Sequence, residues 1–244
     1  MKQGQIIRLD SKEHNEYIRA YLVNTEDIQS PDDQIIKSLY EMLPEFRKDK
    51  VDSIKNGNAK IQSIAAFGLL GYGLRRASQD PNCKFFDHEF MPARAEEWEE
   101  LGYVSDKHGK PYFEKKPEIH FSLSHTGGMV MCVISDRPVG CDVEVVNRYK
   151  VDYDIHTYAE ERLRLAGRFF TEAEYEYLKT SKSDTEIPQK FTEIWTKKES
   201  YIKFLGLGLS KPLNEFNTQD CSPRPEMIYE DGKYCASICV DLKS

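Results

Sequence analysis

The chain has 244 residues, 39% of them hydrophobic and 31% charged, with a formal net charge of −7; that length allows one large domain or two of roughly 100–150 residues. An acidic balance excludes the broadly basic surface that non-specific nucleic-acid binding requires. No run approaches the roughly 18–20 apolar residues of a membrane span, and the opening MKQGQIIRLD lacks the apolar centre of a signal peptide. The six cysteines, Cys83, Cys132, Cys141, Cys221, Cys235 and Cys239, form no CxxC pair, so free thiols in a reducing cytosol explain them better than disulfides or zinc.

Gln5–Leu9 reads as a short apolar strand. Between Pro31 and Lys55 the pattern is helical and heavily charged, broken into two helices near Pro44. Asn58–Arg76 predicts a helix that is apolar on much of its circumference (Ile61, Ile64, Ala65, Phe67, Leu69, Tyr72, Leu74) and therefore central. Pro, Gly and charged residues dominate from Gln79 to Pro117, predicting loops around a short helix at Arg94–Leu101. Three strand-like runs follow in succession, Ile119–Ser124, Met129–Ser135 and Val139–Val145, with turns at Thr126-Gly127-Gly128 and Asp136-Arg137-Pro138. Helices are expected at Thr157–Gly167, Glu172–Lys179 and Pro188–Leu205, the second opened by a Thr171/Glu174 capping box. Strands at Met227–Tyr229 and Tyr234–Val240 close the chain. The class is α+β, in two similar-sized halves, 1–120 and 121–244.

Several constellations carry chemical possibilities. In Val139-Gly140-Cys141-Asp142-Val143-Glu144-Val145, strand alternation puts Asp142 and Glu144 together on one face. Such a pair is either the solvated side of an amphipathic strand or a set of hard oxygen ligands suited to magnesium. On the helix ending near Leu205, Glu199 and Lys203 are i, i+4 neighbours, either a surface ion pair or a carboxylate meeting a cation. Lys198 and Lys203 flank Glu199, an arrangement able to grip phosphate. Gly206 is a natural C′ residue for that helix. In Phe121-Ser122-Leu123-Ser124-His125-Thr126-Gly127-Gly128, neighbouring strand positions point to opposite faces and the G-x-S-x-G elbow is absent, so Ser124 and His125 are not a nucleophile and its base. His125 is left as a turn histidine or a phosphate contact. Lys110 in Gly109-Lys110-Pro111 is read as a turn lysine or part of a ligand wall. Arg47, Lys48, Lys50, Lys55 and Lys60 read as an exposed basic helix face.

Taken in order, GKP, SLSHTGG, VGCDVE, RFF and WTKKESYIKFLGLGL resemble the 4′-phosphopantetheinyl transferase superfamily, in its longer single-chain branch typified by the surfactin-synthetase activator. The resemblance spans about residues 44–213. It implies two α/β halves related by a pseudo-twofold, with coenzyme A and the active site at their interface. It implies Mg²⁺, or Mn²⁺ in its place, held by Asp142, Glu144 and Glu199. Coenzyme A would be contacted by Asp142, Lys198 and Lys203 at its phosphates, by Ser124 and His125 on the 3′-phosphate side, and by Lys110 and Pro111 at the adenine end. Glu199 and Lys203 are the implied catalytic residues, and Glu174 occupies the place of a further family carboxylate. One departure stands out: where the branch carries an arginine before a Ser or Thr on the central helix, this chain has Gln62 before Ser63.

The implied activity is transfer of the 4′-phosphopantetheine arm of coenzyme A to a serine of an apo acyl or peptidyl carrier protein, with release of 3′,5′-ADP. The carrier would belong to fatty-acid, polyketide or nonribosomal-peptide biosynthesis. The protein is expected to be a cytoplasmic monomer with no nucleic-acid or membrane partner. The alternatives are a non-catalytic module that binds coenzyme A or a carrier, and a metal-dependent phosphodiesterase acting on phosphopantetheine compounds.

Overall fold

The structure, a computed structural model, describes residues 7–10, 17–28, 30–147 and 154–241. The chain divides into two compact units, Met1–Val139 and Gly140–Ser244.

In the first unit, strands β1 (Ile7–Asp10), β2 (Ile18–Asn24), β5 (His120–Thr126) and β6 (Met129–Ser135) form an antiparallel sheet in the order β1-β2-β6-β5. Every residue of β6 is buried, as befits an inner strand. Helices α1 (Gln34–Glu41) and α2 (Glu45–Asp52) are separated at Pro44, and the central helix α3 (Gly57–Ser78) packs on β6, β5 and β2. The Asn56 side chain starts α3 by accepting from the Ala59 N–H at 3.0 Å. Its apolar face, including Phe67, Leu70 and Leu74, joins Val130, Cys132 and Ile134 of β6 in one core. At Gly73 an added Cβ would lie 2.6 Å from the Ile134 Cδ1, so the missing side chain lets helix and sheet approach. A short helix α4 (Ala95–Leu101) ends at left-handed Gly102, and a small hairpin of β3 (Tyr103–Ser105) and β4 (Pro111–Phe113) follows.

The second unit contains β7 (Val139–Val145), α5 (Ile155–Phe169), α6 (Glu172–Lys179), α7 (Glu186–Leu205), β8 (Glu226–Glu230) and β9 (Tyr234–Val240). Its sheet runs β7-β9-β8, and α7 packs on β9. Phe170, Leu178, Phe191 and Ile194 lie at the centre of its helical core. The Thr171/Glu174 capping box is present in full, and α7 stops at Gly206 with φ 67°, as the sequence predicts.

Two expectations are corrected. The unit boundary lies at 139/140 instead of 120/121, because β5 and β6 hydrogen-bond into the sheet that contains β2, while β7 joins a different sheet beside β9. Arg47 does not lie on an exposed basic face. It is buried, its Nη2 donates to Ser63 Oγ at 2.8 Å, and its guanidinium sits 5.4 Å from the Phe67 ring centroid. Strand β2 and the β3–β4 hairpin had no counterpart among the predicted elements. Four of the six free cysteines are buried, Cys132, Cys141, Cys235 and Cys239.

Candidate active site

Strand β7 lies directly against α7. A Cβ added to Gly140 would collide with the backbone of Ser200 and Phe204, so this close approach depends on glycine. It brings Asp142, 5% exposed, against the last turn of α7, where the Lys203 Nζ donates to Asp142 Oδ1 at 2.7 Å. The short charge-assisted contact replaces the Glu199–Lys203 helical pair that spacing alone allows. Glu199 sits one turn earlier on α7, and Glu144 is two residues beyond Asp142 on β7. Burial, then the charges of Asp142 and Glu144, push the Glu199 carboxyl above its ordinary value against the pull of Lys203. Burial works against the Lys203 ammonium, but Asp142, Cys141 and Glu199 together raise the lysine's pKa.

Among the described residues no three His, Cys, Asp or Glu side chains converge as a ligand cage. The donor chemistry nonetheless fits a hard divalent cation. Asp142 and Glu144 act on Glu199 as like charges, oxygen is the donor throughout, and Lys203 is the counter-charge bonded to Asp142. Side-chain rotation is the remaining requirement. Glu144 also borders a cavity of about 270 Å³ walled by Arg162, Phe169, Phe191 and Trp195. Arg162 covers this floor, 5.1 Å from the centroid of Phe191.

Lys198 turns inward. Its side chain is fully buried, and its ammonium donates to Leu213 O at 2.7 Å and Phe216 O at 2.6 Å while pairing with Glu174 Oε2 at 2.7 Å. An ammonium has three N–H bonds, and all three are engaged inside the protein. In this arrangement Lys198 clasps residues 213–218 to α7. Glu174 completes the knot by accepting from the Thr218 N–H and hydroxyl and from the Thr171 N–H and hydroxyl. Burial alone would raise the Glu174 carboxyl, but Lys198 and the two backbone N–H groups hold it below its ordinary value. The pair fastens residues 213–218 to α6 and α7. Nothing in the sequence motif identifies Leu213, Phe216 and Thr218 as its partners, because two of the three contribute backbone carbonyls.

The remaining candidate residues lie in the first unit. Asp106 Oδ1 accepts from the His108 and Lys110 N–H groups, shaping the turn that carries Gly109 at φ 85°. From that turn the Lys110 Nζ reaches Val139 O at 3.3 Å, and Pro111 begins β4. On β5, Ser124 is buried and His125 exposed, the alternation expected of a strand. His125 Nδ1 lies 3.1 Å from Gln62 Oε1 on α3, so the residue that departs from the family pattern touches the histidine.

A sequence profile of the 4′-phosphopantetheinyl transferase superfamily matches residues 138–243, a segment that begins at β7 and contains Asp142, Glu144, Glu174, Lys198, Glu199 and Lys203. Over these residues the chain is similar to that superfamily. It is 34% identical over 119 residues to a 4′-phosphopantetheinyl transferase of Bacillus subtilis, covering 49% of this chain and 47% of that one. It is 33% identical over 135 residues to the 4′-phosphopantetheinyl transferase gsp of Aneurinibacillus migulanus, covering 55% and 50%. The 4′-phosphopantetheinyl transferase Sfp of Bacillus subtilis strain 168 shares 32% over 134 residues, 55% of this chain and 50% of its own. These matches agree with the surfactin-activator branch read from the motifs. The chain spans about half the length of the curated relatives it matches. Among the described residues no helix is long and apolar enough to cross a membrane.

Proposed function

We propose that this protein is a holo-[carrier-protein] synthase, transferring the 4′-phosphopantetheine arm of coenzyme A to a serine of an apo acyl or peptidyl carrier protein and releasing 3′,5′-ADP. The observation that carries the reading is the 2.7 Å Asp142–Lys203 pair, with Glu199 one turn away, inside the segment that matches the superfamily. Asp142, Glu144 and Glu199 are the residues that would hold Mg²⁺, or Mn²⁺. When bound, such an ion neutralises the charge that grows on the pyrophosphate as its bridging P–O bond breaks.

The protein's own groups supply the rest. The carrier serine oxygen attacks the β-phosphorus, a new O–P bond forms, and the bridging oxygen leaves with 3′,5′-ADP. Glu199 accepts the serine proton, a role suited to a carboxyl already raised by burial and neighbouring charge. Lys203, the accessible cation of α7, offsets charge on the leaving phosphate. Lys198 is assigned to support α7 and residues 213–218, and not to the phosphates. Lys110, Pro111, Ser124 and His125 are assigned to the adenosine side of coenzyme A. In this reading the two units are pseudo-twofold relatives and the protein works as a cytoplasmic monomer.

An apo-carrier panel incubated with coenzyme A and Mg²⁺ tests the proposal by intact mass. One carrier or more should gain a phosphopantetheine mass, and Asp142→Ala and Glu199→Gln should abolish the gain. Unchanged turnover in both variants refutes the roles of Asp142 and Glu199, and hydrolysis of coenzyme A without any acceptor favours the phosphodiesterase alternative.

A further inference from the structure

An apolar cavity of about 200 Å³ lies in the first unit, between α1, the end of β2 and one face of α3. Among the described residues, Ile35, Ile36 and Leu39 form one wall, and Ala65, Leu69 and Tyr72 form the other. The α3 residues follow the i, i+4, i+7 spacing of a single helical face, which runs about 10 Å along the axis from Ala65 to Tyr72. Gly68 lies on this face with Leu39 against it. A Cβ added there would stand 3.0 Å from the Leu39 Cδ2, so the missing side chain lets α1 seat on α3.

Two polar side chains of the lining, Asn24 and Thr25, are bonded within the protein. Asn24 Oδ1 accepts from the Glu26 N–H at 2.8 Å, and the Asn24 amide donates to Glu26 Oε2 at 3.3 Å. The Thr25 hydroxyl donates to Gly128 O at 3.0 Å. A guest that carried donors or acceptors deep into this space would leave them unpaired, a cost that an alkyl chain avoids. The size is adequate, since a dry apolar cavity of about 150 Å³ already holds a benzene-sized guest.

The mouth of the cavity is apolar and open. Ile35 is 54% exposed and Tyr72 40%, the latter standing edge-on to Tyr21 with ring centroids 5.6 Å apart. Large apolar side chains left open around a concavity mark a ligand site, unlike apolar residues scattered singly over a surface. One helical turn beyond Tyr72, on the same face, α3 presents the exposed Arg76. Its neighbour Arg75 is held by Glu89 at 2.8 Å. Arg76 instead donates to the neutral Gln79 Oε1 at 3.2 Å and, among the described residues, pairs with no carboxylate. Along α3 the order is therefore apolar wall, open aromatic rim and guanidinium.

We propose that this cavity binds a free medium-chain carboxylate, with the alkyl chain between α1 and α3 and the carboxylate at Arg76. An amphiphile of opposite sign meets a like charge there instead of a counter-charge. Each methylene seated in the cavity should tighten binding about fourfold, and the gain should stop once the cavity is full. The carboxylate adds less, up to about fivefold, because Arg76 is open to solvent. The walls contain none of the residues assigned to phosphopantetheine transfer, so the site stands whether or not that reading does.

Calorimetry on the full chain, with every probe kept below its micelle concentration, tests the site. Hexanoate, octanoate and decanoate should bind one to one, with affinity rising about fourfold per methylene and then levelling off. Decanoate should bind about five- to tenfold more tightly than decylammonium, and Arg76→Gln should bring the two within about twofold. Ile35→Glu puts a charge at an exposed position of the mouth and should weaken decanoate at least about tenfold. Absence of one-to-one decanoate binding overturns the proposal, as does binding that neither variant changes, which places the probe elsewhere. Binding to anionic vesicles without binding to monomeric decanoate overturns the assignment to a free acid. Self-association that Ile35→Glu abolishes and decanoate fails to displace overturns it as well, by giving the cavity to a second copy of the chain.

Discussion

Lys198→Met isolates what the buried lysine does. Methionine keeps an unbranched stem of similar length and removes the ammonium. Three groups then lose their donor together: Glu174 Oε2 and the carbonyls of Leu213 and Phe216. Removing one member of a buried ion pair costs about 3–5 kcal/mol, much of it from the charge left behind. Glu174 keeps its bonds from Thr171 and Thr218, which places the expected loss near about 3 kcal/mol, the low end of that range. Urea unfolding followed by tryptophan fluorescence measures it. Lys198→Met combined with Glu174→Gln should recover about half of the loss, because no uncompensated charge remains inside. Under conditions where Lys198→Met stays folded, its KM for coenzyme A should change by less than about threefold, as expected when no direct substrate contact is removed. A variant that loses less than about 1 kcal/mol of stability but raises KM steeply would refute the clasp and restore Lys198 as a phosphate ligand.

Three further outcomes follow from the geometry. Gly140→Ala should force β7 away from α7, separating Asp142 from Lys203 and lowering kcat/KM by about 100-fold, the scale of an ångström-sized misplacement; steady-state kinetics with an apo carrier reads it, and an unchanged value contradicts the close packing. Chelation should stop transfer while leaving the urea midpoint within about 0.5 kcal/mol of its original value, since Lys203 and Asp142 stay paired without the ion, and Mg²⁺ should restore turnover. Two groups set pH dependence in opposite senses. The Glu174 carboxyl is held low, so its contribution is present above its unfolded pKa and is lost as pH falls through the folded value. His88 is held high by Asp87 and Glu97, so its contribution is complete below its unfolded pKa and is lost as pH rises through the folded value. Unfolding midpoints measured across pH should show the alkaline loss disappear in His88→Gln and the acid loss shrink in Glu174→Gln.

Most of the helices and the main strands were legible because their apolar residues recur at the periods that burial demands. Asp142, Glu199 and Lys203 were legible as motif members. Their pairing was not, because only the close approach of β7 and α7 lets Lys203 prefer Asp142 to Glu199. Gly140 carried a usable signal, a glycine inside an apolar strand, which marks a site where another backbone comes near. Lys198 carried one too. It falls on the buried stripe of Ile194 and Ile202 at helical spacing, and its position predicted burial where its residue type suggested solvent. Strand β2 was hidden because Arg19 interrupts an otherwise apolar run and no glycine or proline punctuates its ends. Arg47 was misread for the complementary reason: the charged neighbours Lys48, Asp49 and Lys50 mask one arginine that turns inward to Ser63.

The order β1-β2-β6-β5 also governs how the first unit is made. Ile18 pairs with Ser135 and Asn24 with Met129, so an inner strand from the start of the chain finds its partner only after the helices between have been synthesised. Pairings this distant in sequence carry a large loop-closure penalty and slow folding. A nascent chain halted before Met129 holds β2 paired with β1 alone, its other edge open, with α3 lacking the inner strand β6 it packs on. During synthesis that edge is exposed to aggregation until β6 has emerged from the ribosome.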